Sequence, residues 1–266
     1  MIYFIIPAFN EAANLPVLLS SLGEWSRTRH EPCHLIVVDD GSRDATAEVL
    51  REFRELPLTV VRHEVNCGVH EVFRSGFSAW SKLPAGGQDL VVTLEADNTS
   101  SLAILDAMLT RARQGDDLVL ASCYAPGGEV VGTNLFRVFL SSCANLILRC
   151  TPGMPTVYTF SSFYRVYRAS FLEYALRCYG ERLIEERGFV CVVEMLLKFG
   201  VLQARISEVP LRLDGSVRKG ASKMKVLRTI RGYLALFARA VTGRVAKPVE
   251  QVSVEKRMLQ KSASGR

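Results

Sequence analysis

The first half of the chain alternates two kinds of segment. Residues 2–6, 35–38, 58–61, 90–94 and 118–121 are short, largely apolar and bounded by polar or turn residues. That is the pattern of strands buried on both faces of a parallel sheet. Between them, residues 15–22, 45–53, 72–80 and 102–112 show the three- and four-residue apolar spacing of helices with one buried face. The alternation predicts right-handed βαβ units, hence an α/β fold with a doubly wound, mostly parallel sheet flanked by helices. Ligands of such sheets sit outside the carboxyl ends of the strands, so the residues that follow each strand are the first candidates for chemistry.

Three of those ends carry carboxylates: Pro7-Ala8-Phe9-Asn10-Glu11, Asp39-Asp40-Gly41-Ser42 and Glu95-Ala96-Asp97-Asn98-Thr99. Clustered carboxylates are costly unless something positive neutralises them. A hard divalent cation does so, and Mg²⁺ commonly combines one or two carboxylates with substrate phosphates. Glu95 and Asp97 are two residues apart, so in an extended strand both point to one side. Local roles compete with this: Asp97 or Ser100 as the cap of the helix at Leu102, and Ser42 or Asp44 as the cap after a turn at 39–42. Carboxylates at 39 and 40 also suit a base or ribose hydroxyl. No Gly-x-Gly-x-x-Gly fingerprint, Walker loop or Gly-x-Ser-x-Gly elbow is present, which argues against dinucleotide enzymes, P-loop kinases and serine hydrolases.

The second half is less regular. Residues 136–149 read as a helix with Arg137, Ser141, Asn145 and Arg149 on one stripe, either its wet side or an anion-binding row. Leu227, Ile230, Leu234, Phe237 and Val241 form an apolar stripe on a C-terminal amphipathic helix that also bears Arg228, Arg231 and Arg239. Such a helix docks on the domain or lies on anionic lipid, and the docked arrangement is the expectation. Pro84-Ala85-Gly86-Gly87 is the only linker-like stretch, and there is no internal repeat.

Composition adds bounds. With 48% hydrophobic and 23% charged residues, the chain can build a sizeable core. Charge is uneven: from Arg205 onward there are 15 Lys/Arg against 4 Asp/Glu, a net +11 within an overall +6. A basic end on a mildly acidic body points to an anionic partner or a solvated basic face. The seven cysteines lack a Cys-x-x-Cys pair and read as free thiols of a reducing compartment. His63, Cys67 and His70 lack a fourth ligand at a recognised spacing, so their proximity reads as incidental. Residues 2–6 have no basic flank, Pro7 follows at once, and no stretch reaches the roughly 18 apolar residues of a membrane span. The expectation is a cytoplasmic protein, free or on a membrane surface.

In order and spacing, Pro7-Ala8-Phe9-Asn10-Glu11, Val37-Val38-Asp39-Asp40-Gly41-Ser42, Asn66-Cys67-Gly68 and Glu95-Ala96-Asp97 resemble the family 2 glycosyltransferases. Tyr124-Ala125-Pro126-Gly127-Gly128, Arg165-Val166-Tyr167-Arg168, Val193-Glu194-Met195-Leu196, Ile206-Ser207-Glu208-Val209-Pro210 and Gly220-Ala221-Ser222-Lys223-Met224 extend the likeness to dolichyl- and polyprenyl-phosphate mannosyl or glucosyl transferases. The resemblance covers roughly residues 2–240. It implies a GT-A domain over 1–242, with a nucleotide-binding half (1–122), an acceptor-side half (123–242) and a basic, flexible tail at 243–266.

The same resemblance implies the site. Pro7, Phe9, Glu11 and Asp39 would hold the nucleoside of a GDP- or UDP-linked sugar, with Asp40 and Ala96 beside them. Glu95, Asp97 and Thr99 would hold Mg²⁺ or Mn²⁺. Arg137 and Ser141 would hold the acceptor phosphate, and Arg218 and Lys223 would close on the diphosphate and act with Asp97 in catalysis. Inversion at the anomeric carbon, a lipid phosphate acceptor at the cytoplasmic face of a membrane, a membrane-anchored partner subunit and no nucleic-acid partner complete the implication. Three departures stand out: Glu95 where an Asp is usual, Cys123 where relatives often carry Arg, and a 157–165 segment without the customary Asp and Gly. Membrane-spanning segments that some relatives carry are also not seen. The alternatives are a transferase acting on a saccharide or natural-product hydroxyl, and a catalytically dead nucleotide-sugar binder.

Overall fold

The computed structural model describes residues 1–245, except 85, 152, 153, 155 and 218–225, and also residue 248. Within a seven-stranded sheet lie β1 (Ile2–Ala8), β2 (Cys33–Asp39), β3 (Leu58–Arg62), β4 (Leu90–Thr93), β5 (Leu118–Ser122), β7 (Arg165–Arg168) and β8 (Ile206–Pro210). Their order is β3-β2-β1-β4-β7-β5-β8, and β7 alone among them runs antiparallel to its neighbours. A second sheet pairs β6 (Glu129–Val131) with β9 (Arg212–Asp214). The α/β, mostly parallel sheet read from the periodicity is therefore found, with all five strands of the first half in place.

Strand β1 shows why these runs are apolar throughout. Tyr3 and Ile5 enter one core, while Ile2, Phe4, Ile6 and Ala8 enter the other. On the second of these faces lie α1 (Leu15–Arg29), α2 (Thr46–Glu52) and α4 (Leu105–Arg113), sealed by Leu15, Leu18, Leu19, Leu22, Leu50, Met108 and Leu109. Opposite lie α3 (Val69–Trp80), α5 (Leu135–Arg149), α6 (Ala169–Tyr179), α7 (Val190–Val201) and α8 (Val226–Val241). Full burial of each large apolar side chain stabilises by roughly 1.5–3 kcal/mol, so both faces contribute.

The remainder corrects local expectations. The turn before α4 is capped by Ser101, whose Oγ accepts from Ala103 N at 3.2 Å, and not by Asp97 or Ser100. The Pro84 segment is a connection between α3 and β4 of one sheet, with Pro84 O accepting from Tyr3 Oη. Docking of α8 uses Thr229, Tyr233 and Leu236, whereas Leu234 and Val241 of the expected buried stripe are 46% and 53% exposed. The side chain of Leu227 lies outside the described residues.

Helix α3 crosses β1 closely because position 76 has no side chain. A Cβ there would stand 2.5 Å from Ile5 Cγ2. Gly76→Val is expected to destabilise the fold by about 1–3 kcal/mol through overpacking. A lowered urea midpoint with an unchanged slope is the measurement that checks it.

Candidate active site

The site begins where β1, β2 and β4 end on one edge. Beyond β1 the chain turns at Asn10, which takes the left-handed conformation (φ +53°). Asn10 N donates to Ser42 Oγ at 2.8 Å, Glu11 N donates to Thr46 Oγ1 at 2.9 Å, and Asn10 Oδ1 accepts from Arg43 N at 2.8 Å. The turns after β1 and β2 are thereby tied together.

A third turn joins them through Asp40. Its Oδ1 accepts from Cys67 N at 2.9 Å and its Oδ2 from Gly68 N at 2.8 Å. Those N–H groups stand at the start of α3, where a carboxylate is favoured. Gly41 makes the approach possible: its φ is +71°, and a Cβ would fall 2.5 Å from the carbonyl carbon of Val65. His63 and Cys67 do converge on Asp40, with ligand atoms within 4.8 Å of one another. Both imidazole nitrogens are engaged, Nδ1 with Asp40 Oδ1 at 2.7 Å and Nε2 with Ser75 Oγ at 2.9 Å. The trio thus reads as a loop clasp.

Glu95 and Asp97 share the same space, though by a different route from the one expected. Strand β4 ends at Thr93, and the chain then curls through Asn98 in the left-handed region (φ +60°). Asp97 Oδ1 accepts from Thr99 N at 3.1 Å and Thr99 Oγ1 at 2.7 Å, which fixes the carboxylate. Ser100 Oγ donates to Glu95 Oε2 at 3.3 Å. Asn98 Nδ2 donates to Asn14 O, and Asn14 Nδ2 donates to Glu11 Oε2 at 2.6 Å. Two anionic side chains with oxygen donors, one of them held rigidly, suit a hard divalent cation.

These turns wall a cavity of about 880 Å³. Pro7, Phe9, Glu11, Asp40, Glu95, Ala96, Asp97, Thr99 and Ser141 all line it, so nine of the residues singled out from the sequence are brought together. Asp39 is not: it is fully buried, accepts from Ser42 N at 2.9 Å and lies 3.5 Å from Arg62 Nε. Arg218 and Lys223 lie outside the described residues, as does the side chain of Arg137. Gly215, three residues before Arg218, is on the wall.

The far wall was mostly invisible in the sequence: Tyr124, Ser161, Ser162, Phe189 and Tyr233. Glu208 organises part of it, accepting from Tyr158 N and Thr159 N at 2.8 and 2.9 Å. Burial nonetheless holds its carboxyl above the usual glutamate range. Behind Phe189, the buried Lys198 binds Glu194 at 2.7 Å and Glu185 at 2.8 Å, while Glu194 Oε2 accepts from the Glu185 and Glu186 N–H groups. Only the Glu194–Lys198 pair is local, four residues apart on α7; the other contacts join residues of separate elements or loops.

The stripe on α5 resolves differently from a wet face. Ser141 lines the cavity, Asn145 is buried with Oδ1 accepting from Phe160 N at 3.1 Å, and the Arg149 guanidinium stacks 4.4 Å from the Tyr158 ring centroid. These three polar groups point inward.

A family model described as glycosyl transferase family 2 matches residues 3–175, well over half of the chain. The chain belongs to glycosyl transferase family 2. Among curated members of that family, an undecaprenyl-phosphate mannosyltransferase of Micrococcus luteus is 30% identical over 78% of this chain and 81% of its own length. A polyprenol monophosphomannose synthase of Mycolicibacterium smegmatis is 30% identical over 64% of this chain, and the match spans 62% of that protein. The match to an undecaprenyl-phosphate 4-deoxy-4-formamido-L-arabinose transferase of Pectobacterium atrosepticum is 31% identical and spans about half (51%) of that protein. In three dimensions, Mycobacterium tuberculosis glucosyl-3-phosphoglycerate synthase, solved with Mn²⁺, uridine diphosphate and phosphoglyceric acid, superposes with a TM-score of 0.62. It is 17% identical over 94% of this chain and 80% of that one, which shows the shared GT-A fold.

All seven cysteines are free, and two bear on the site. Burial pushes the Cys123 thiol up to about 11, so it stays neutral near pH 7. Cys67 is exposed. Alkylation at pH 8 followed by peptide mass spectrometry is expected to label Cys67 readily, with Cys123 labelled only as the pH approaches 11. Equal labelling of both at pH 8 would refute the raised Cys123 thiol.

Proposed function

We propose that the protein is a metal-dependent hexosyltransferase that moves a sugar, with inversion, from a GDP- or UDP-linked donor to a polyprenyl or dolichyl phosphate at the cytoplasmic surface of a membrane. The observation that carries this reading is the shared cavity of Glu11, Asp40, Glu95 and Asp97. Four carboxylates on one wall would repel a diphosphate unless a cation intervened. Donor sets of the Glu95 and Asp97 kind fit Mg²⁺ or Mn²⁺, which when bound would neutralise charge developing on the leaving diphosphate. The glucosyl-3-phosphoglycerate synthase of Mycobacterium tuberculosis has been solved with uridine diphosphate and either Mn²⁺ or Mg²⁺.

Pro7 and Phe9 offer an apolar seat for a nucleobase, and Glu11 and Asp40 offer acceptors for its edge or its ribose hydroxyls. Thr99 orients Asp97. On the opposite wall Ser141, with Arg137 on the same helix, would receive the acceptor phosphate, and Arg218 and Lys223 would close over the diphosphate. A lipid monophosphate has a second pKa near about 6 and is already anionic at neutral pH. Its oxygen can displace the nucleoside diphosphate at the anomeric carbon in one in-line step, forming the sugar–phosphate bond as the sugar–diphosphate bond breaks. That nucleophile needs no general base. Relatives whose names carry polyprenol or undecaprenyl phosphate support the acceptor class. A membrane-anchored partner subunit would hold the enzyme near that lipid.

The test is to incubate the purified protein with Mn²⁺, a panel of nucleotide sugars and undecaprenyl phosphate, with products identified by mass spectrometry. A lipid-linked sugar is expected, and Asp97→Ala should lower its formation by at least about 10²-fold. Glycosylation of a soluble hydroxyl acceptor with no lipid product from any donor would overturn the acceptor assignment. Intact donor binding without any transfer would favour a nucleotide-sugar binder.

A further inference from the structure

Helix α5 carries an apolar band on its solvent side in addition to its buried residues. Its polar residues Ser141, Asn145 and Arg149 face the cavity and interior, as described above, beside the buried Ala144 and Leu148, while several large apolar residues face solvent. Phe136, Phe139 and Leu146 are 68%, 63% and 64% exposed, Ile147 and Cys150 are exposed, and Cys143 is half-buried. At about 100° per residue these six positions fall within an arc of roughly 100°. The exposed apolar band continues onto α8. Cys143 and Ile147 meet Ile230 and Leu234 across a small crevice of about 100 Å³, and Val241 extends the line.

Exposed large apolar residues are ordinary when scattered, whereas a contiguous band marks a contact surface. Charge indicates what it contacts. The α5 and α8 sequences contain no Asp or Glu; of their arginines, Arg149 turns inward onto Tyr158 and Arg239 pairs with Glu186. Arg231, directly after Ile230, is exposed, and so is Arg244 just beyond α8. An apolar band edged by arginine and free of carboxylates complements an anionic interface. No helix among the described residues is long and apolar enough to cross a membrane, so the contact would be peripheral.

We propose that the solvent face of α5, continued by Leu234 and Val241 of α8, is the surface on which the protein lies on an anionic lipid bilayer, with Phe136, Phe139 and Leu146 inserted at the interface. The choice of lipid rests on the acceptor reading above: one helix would then have the bilayer on one side and the acceptor-phosphate wall on the other. A lipid headgroup could pass between the two around a single helix, without leaving the interface.

The experiment is sedimentation of the full chain with phosphatidylcholine vesicles, with and without about 30% phosphatidylglycerol. Parent protein is expected to bind the anionic vesicles and to release in high salt, while F136E/F139E loses at least about 10-fold in partitioning. Both positions are exposed, so an unchanged thermal midpoint shows that the variant remains folded. Phe139→Trp adds a second readout: its emission should shift to the blue and be quenched by brominated acyl chains beyond the parent's response. Equal partitioning of parent and double variant would overturn the proposal. So would a dimer that the double variant dissociates while neither protein binds vesicles, since this would assign the face to a second copy. The vesicles contain neither acceptor nor nucleotide sugar, so failure of the transfer reading and failure of this one are distinguishable. Transfer to a short-chain polyprenyl phosphate in detergent should survive in the double variant.

Discussion

The parallel registration of β1 between β2 and β4 is the constraint from which the rest of the site follows. Ala8 pairs with Asp39, and Ile5 pairs with Thr93, so three turns leave the sheet on one edge within a few residues of one another. A slip of one residue would exchange the two faces of the affected strand and move its turn. That slip is opposed by both cores at once, since alternate residues of β1 belong to opposite faces. Hydrophobic packing on the two sides therefore sets where the carboxylates stand.

Not all of those carboxylates are available to a ligand in the same way. Asp39 and Asp40 are adjacent, yet the first is withdrawn beneath Ser42 and the second binds the start of α3 while still reaching the cavity. Backbone N–H donors stabilise an anion without adding a mobile counter-charge. Asp97 follows the same principle with Thr99. The acidic wall is in this sense preorganised, because hydrogen bonds orient it.

Across the cavity the logic changes from charge to hydroxyls, aromatic rings and a helix facing the opposite way from its solvent-exposed apolar stripe. The wall of Tyr124, Ser161, Ser162, Phe189 and Tyr233 is assembled from four separated chain segments. The buried Lys198–Glu194 pair braces the loop ahead of Phe189. A buried pair of this kind is strongly destabilising when one partner is removed, because the other is left uncompensated. The same geometry that gives α5 a polar inner face gives it an apolar outer one.

The sequence by itself determined the alternation of strands and helices, the edge on which Glu11, Asp40, Glu95 and Asp97 gather, and the family. Those features are local or periodic: apolar runs bury both faces of a strand, and parallel strands must deliver their ends to the same side. Three things needed the tertiary structure. Asp39 and Asp40 are indistinguishable as neighbours in sequence and both are buried, and only the packing of the turns brings the second to the cavity wall. The stripe on α5 has the same spacing whether it faces water or a cavity, because periodicity fixes a face without fixing what lies against it. The docking side of α8 depended on which of its apolar positions met Val190 and the α5 helix, where a Cβ at Gly232 would come within 2.4 Å of Val190 Cγ2. Local pattern carries information about faces, and the neighbours of a face are set by contacts far apart in the chain.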